Sequence, residues 1–130
     1  MIDRHRIAFR IVFVAYAILL FSATHKPGVD VNMVPGIRLD LFIHAGAFCM
    51  WTILLGMTGW LGNAASLRGL ALLLAVGVAY AVIDEASQAV PIFRRVFDVK
   101  DMAANAGGAA IGAAAISALR RATRRQAEQA

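Results

Sequence analysis

The sequence predicts an all-α protein: one domain over residues 1–130, folded as a bundle of four transmembrane helices with both termini in the cytoplasm. Three observations predict it. Hydrophobic residues make up 60% of the chain and charged residues 16%, against an apolar share of roughly 45 to 50% in soluble domains. The apolar residues gather in four runs, each close to the roughly 17 to 25 residues that a helix needs to cross a bilayer core. The charges stand at the ends of those runs. The formal net charge of +5 therefore reports membrane topology and no nucleic-acid partner is expected.

Residues 7–23 (IAFRIVFVAYAILLFSA) follow a short basic leader and are interrupted only by Arg10, which is expected to snorkel back to the cytoplasmic interface. A basic start and an apolar middle also describe a signal peptide. Cleavage after Ala23 would place bulky Phe21 where a small residue is required, so the run is read as a retained helix. Residues 24–38 carry Pro27, Gly28, Pro35 and Gly36 and read as a loop. Residues 39–60 form the second span and end at Trp60, a residue type enriched at membrane interfaces. They hold the lone cysteine, Cys49, which reads as a small buried apolar side chain.

Leu61 to Ser66 is a tight polar turn. Residues 69–88 form the third span, whose apolar part is short, so its polar end must enter the interface. Residues 102–119 form the fourth span, nearly all Ala, Gly and Ile. Ala104, Gly108 and Gly112 share one face of it at i, i+4 and i+8, a face that lets another helix approach closely, either within the chain or from a second copy in a homo-oligomer. The tail from Leu119 to Gln126 reads as an ordinary basic cytoplasmic flank.

Four spans put both termini on one side. The arms and the short turn on that side hold Arg4, Arg6, Arg68, Arg120, Arg121, Arg124 and Arg125; the other two loops hold Lys26, Arg38, Arg94, Arg95 and Lys100. The excess assigns the first group to the cytoplasm. Asp30, Asp40, Asp84, Glu85, Asp98 and Asp101 then all fall outside, where the start of span two, the end of span three and the start of span four can converge. Asp40 and His44 are i and i+4 and stack on one helix face, which pairs them. Asp84 and Glu85 stand four and three residues before Gln88, and Asp101 stands four before Asn105. Arg95 stands three residues before Asp98 and would pair with it if that turn were helical. Ionised groups near a bilayer are costly unless paired or wet, so this set predicts a water-filled polar pocket at the outer face. Arg94, Lys100 and Asp84 read as its solvated rim.

The ordered residues Asp40-Leu41-Phe42-Ile43-His44, Glu85-Ala86-Ser87-Gln88, Pro91, Arg95, Asp98, Asp101, Asn105 and Gly108 resemble the VanZ-like family of small bacterial integral membrane proteins, with its D-K-x-x-H, E-x-x-Q, P, R-x-x-D-x-x-D-x-x-x-N-x-x-G arrangement. The resemblance covers roughly residues 38 to 112. Leu41 replaces the usual lysine, Phe48 stands where an aromatic, often tyrosine, is usual, and the stretch from Pro91 to Arg95 is longer than the family's P-x-R. The resemblance implies a multi-pass protein of the bacterial inner membrane. The founding member is linked to low-level resistance to the glycopeptide antibiotic teicoplanin, and relatives occur in envelope and polysaccharide settings. Resistance itself is not carried over to this chain.

Three readings of the outer set follow. In the first, Asp40, His44, Glu85, Gln88, Arg95, Asp98, Asp101 and Asn105 bind the headgroup of a membrane lipid, a lipid-linked glycan or peptidoglycan precursor, or a lipoglycopeptide, with Arg95 and Arg94 forking onto phosphate or carboxylate. In the second, the protein is a hydrolase or transferase of such a lipid, with His44 as general base oriented by Asp40 and Glu85 or Asp101 as acid. His44, Glu85, Asp98 and Asp101 offer nitrogen and oxygen donors to a divalent cation, but no compact metal signature is present and no cofactor is expected. In the third, the cluster is a polar lock between spans with no ligand.

Overall fold

A computed structural model describes residues 4–27, 38–93 and 95–129. Asp30 and Arg94 lie outside the described residues. Four helices follow one another: α1 (Arg4–Thr24), α2 (Leu39–Thr58), α3 (Leu67–Gln88) and α4 (Val99–Gln129), with a single 3₁₀ turn at Pro91–Phe93 between the last two. All four are long and apolar enough to cross a membrane, and no strand occurs among the described residues. The all-helical expectation holds.

The helix ends have local causes. Thr58 closes α2 because Gly59 adopts φ +73°, the left-handed conformation that favours glycine, two residues short of the expected end at Trp60. The Ser66 hydroxyl accepts the Gly69 N–H at 3.0 Å and opens α3. Asp98 plays the same part for α4: its carbonyl takes the Met102 N–H and its carboxylate takes the Lys100 N–H at 2.7 Å. Beyond Gly112, α4 meets no glycine or proline, and its Ala-, Arg- and Gln-rich tail consists largely of strong helix formers. It therefore runs on to Gln129 where the apolar run ends at 119. Its 31 residues span about 46 Å against a hydrocarbon core of about 30 Å, so its last turns project.

The helices alternate in direction, which makes α2 and α4 parallel. This pair forms the centre, with α1 packed on α2 and α3 packed on α4. In lipid no hydrophobic force draws helices together, so close fit and polar contacts must do so. A Cβ on Gly108 would overlap the Ala45 carbonyl, and one on Gly112 would overlap that of Cys49. The small face of span four is thus used within the chain, against α2. Gly77 brings α3 close to Ala109 and, less tightly, to Thr52. Phe48, Leu73 and Ile116 fill the space between α2, α3 and α4. An aromatic column adds α1: Phe13 packs on Trp51 at 5.2 Å between centroids, and Trp51 stacks on Tyr80 at 4.6 Å.

Arg10 reaches the end of the bundle where α1 begins, but it does so by bonding protein. Its Nε donates to the Thr58 carbonyl at 3.2 Å and its guanidinium lies over the Trp60 ring. A cation at the C-terminus of α2 is also favourable for the helix dipole.

Candidate functional site

The opposite end of the bundle gathers the acids. Arg38, immediately before α2, binds Asp40 with two nitrogens, Nε at 2.9 Å and Nη2 at 2.7 Å from Oδ2. The same Nη2 reaches Asp98 at 3.4 Å and Asp101 at 3.2 Å. One guanidinium thereby joins the first turn of α2 to the first turn of α4. Asp40 and Asp101 also stand at helix N-termini, where the dipole favours negative charge. Its bond to Asp40 holds Arg38 more firmly protonated than an ordinary arginine. The Lys100 backbone N–H, with Arg38 behind it, holds the Asp98 carboxyl below its usual range.

A second layer lies deeper. His44 Nδ1 is 2.9 Å from Asn105 Oδ1 and its Nε2 is 3.8 Å from Asp101. Because the amide oxygen only accepts, this contact makes Nδ1 the donor and leaves the Nε2 lone pair facing the carboxylate side. Asn105 is fully buried, and its Nδ2 has no partner among the described residues.

The end of α3 completes the set. Glu85 accepts the Asp98 backbone N–H at 2.8 Å and the Gln88 amide at 3.3 Å. Gln88 also donates to Asp84 at 3.1 Å and accepts from Arg95 Nε at 3.2 Å. Asp84 in turn accepts from Thr24 at 3.1 Å, and His25, 3.9 Å from that carboxylate, meets the Ser87 hydroxyl at 2.8 Å. His25 is buried, stacked on Phe21 and edged by Phe93. A continuous network therefore runs from α1 through α3 to α2 and α4.

Asp40, His44, Glu85, Gln88, Arg95, Asp98, Asp101 and Asn105 all fall in this network, with two changes of partner and one of burial. His44 was expected to be oriented by Asp40; it is held by Asn105 and faces Asp101, because α4 lies against that side of α2. Arg95 was expected to pair with Asp98; residues 95–98 are not helical, so Arg95 turns back to Gln88 and Arg38 takes Asp98. Asp84 was expected on a solvated rim and is 1% exposed, because the end of α1 covers it. Lys100 is exposed, as a rim residue should be.

Arg38, Thr24, His25 and Ser87 were missed. Arg38 had one legible signal: a cation two residues before Asp40, in a chain where Leu41 supplies none. For the metal version of the enzymatic reading, no group of three or more His, Cys, Asp or Glu side chains among the described residues is arranged to hold an ion.

Fold and network together define a multi-pass membrane protein of four helices with its buried polar groups concentrated at one end. The model of the VanZ/LLP1 family matches residues 7–120, and the chain belongs to that family. No curated protein and no solved structure matches it.

Proposed function

We propose that the polar end of the bundle recognises the headgroup of a lipid-linked cell-envelope precursor or lipoglycopeptide at the outer face of the bacterial inner membrane, with both termini in the cytoplasm. The observation that carries this reading is Asn105 Nδ2, a fully buried donor without a partner among the described residues. A buried donor left unpaired costs about 1 to 3 kcal/mol, a cost that a ligand oxygen would remove. Arg95 supports it: among the described residues only its Nε is engaged, by Gln88, which leaves the terminal nitrogens for phosphate or carboxylate. Ile92, Val96 and Phe97 around it are exposed, an apolar loop suited to the depth of lipid headgroups.

The test is binding of undecaprenyl-linked precursors to the purified protein. Arg95→Ala and Asn105→Ala are each expected to weaken binding about tenfold or more. Unchanged affinity in Arg95→Ala, with lower stability, would instead leave the cluster as a lock between helices. Product release in the same assay would turn the reading to the hydrolase or transferase alternative, for which the tautomer set by Asn105 on His44 speaks.

A further inference from the structure

At the other end of the bundle a cavity of about 420 Å³ opens between the start of α1, the turn from α2 to α3, and the last third of α4. Arg6 and Arg120, from opposite ends of the sequence, both line it, with Met57, Gly59, Gly62 and Asn63 as its floor. No acidic side chain lines it among the described residues. The Arg6 guanidinium stands against Gly59, where an added Cβ would lie 3.4 Å from Nη1.

The neighbouring cations differ from this pair. Arg10 donates to the Thr58 carbonyl, Arg121 to the Ala65 carbonyl, and Arg124 pairs with Glu128. For Arg6 and Arg120 no acceptor appears among the described residues. Two like charges facing one concavity at a low-dielectric boundary repel each other, and an anion between them reverses the sign of that interaction. The forked geometry of guanidinium matches the oxygens of a phosphate. Trp60, half exposed and packed edge-on against Phe13, sits in the same turn and marks headgroup level, since tryptophan favours that depth. The volume far exceeds the roughly 30 Å³ share of one water in the liquid, so it has room for a headgroup-sized body.

We infer that this cavity binds a phosphate group, and that the phosphate is the headgroup of an anionic phospholipid. The site is separate from the polar network and does not depend on what that network recognises.

The experiment is native mass spectrometry of the full-length protein in detergent with phosphatidylglycerol and phosphatidylcholine at equal concentration. Preference for phosphatidylglycerol is expected at roughly tenfold or more, the scale of two basic residues acting on one anion. Arg6→Gln with Arg120→Gln should abolish the preference. Arg124→Gln with Arg125→Gln removes the same charge from the exposed tail and should leave it within about twofold. Arg6→Lys with Arg120→Lys keeps the charge and should retain part of the preference, which separates loss of the site from loss of folding. Equal loss in the tail variant, no preference in the wild type, or no preference in the lysine variant would overturn the site. Displacement of the lipid by inorganic phosphate in lipid-free buffer, with no advantage for phosphatidylglycerol, would overturn the lipid as the source.

Discussion

At one end of the bundle Asp84, Glu85, Gln88 and Asn105 are at most 1% exposed, and the contacts that position them come from all four helices. At the other end Arg4, Arg6, Arg68, Arg120, Arg121, Arg124 and Arg125 are all exposed, on the flanks of the same helices. The difference follows from side-chain reach. A carboxylate or amide close to its own helix cannot extend to water and must find donors on neighbouring helices, so the acidic end exists only as tertiary structure. An arginine carries its charge outward on a long stem, so the basic end forms wherever a helix happens to finish. Substitutions should therefore propagate through the bundle at the first end and remain local at the second.

The strongest way to break this contrast is Gly108→Leu. Its side chain would meet the Ala45 backbone, prising α4 from α2 and separating Asn105 from His44. Overpacking against backbone that cannot yield should cost about 3 kcal/mol or more, read as a lower midpoint in a mixed-micelle unfolding titration. Removing one carboxylate sharpens the contrast. Glu85→Ala strips acceptors from the Asp98 N–H and the Gln88 amide and should cost about 2 kcal/mol. Glu128→Ala breaks an exposed i,i+4 pair with Arg124 and should stay within about 0.5 kcal/mol in the same titration.

The smallest effect is in the pH profile. Asp98 has a lowered pKa in the folded protein, caused first by the Lys100 N–H. Its contribution is therefore present above the ordinary aspartate range, near 4, and is lost as the pH falls through the lowered value. The Asp98 side chain is 39% exposed, so solvent screening keeps this contribution small. Unfolding followed from neutral to acid pH should steepen in the wild type and be flatter in Asp98→Asn. Equal slopes would remove Asp98 from the acid response.

Helix number, helix limits to within a few residues at most ends, and the close face at Gly108 and Gly112 were legible because each rests on local pattern: apolar run length and small residues four apart. Most members of the polar network, Arg38, Thr24, His25 and Ser87 apart, were legible as well, because direction alternates and charges at one end must meet. Its pairing was not. His44 and Asp40 are neighbours on α2, yet α4 decides what His44 touches. Asp84 reads as a rim residue by its place at the end of a span, and only the last turn of α1 makes it interior. His25 sits in a Pro- and Gly-rich stretch that gives no sign of burial. The tail of α4 reads as a flank because helix-forming tendency past residue 119 carries no hydrophobic signal.

The contact of α2 with α4 has a mechanical consequence. Ala45 meets Gly108 and Cys49 meets Gly112, the same step of four residues on two parallel helices, so the pair engages like two toothed bars. A small axial slip drives each carbonyl off its glycine, and the next seat is a full step away, about 6 Å along the axis. There Ala109 would replace Asn105 opposite His44. The His44–Asn105 contact thus has no graded states: it is seated or it is absent, and any motion that opens this end of the protein must come from tilting the helices rather than sliding them.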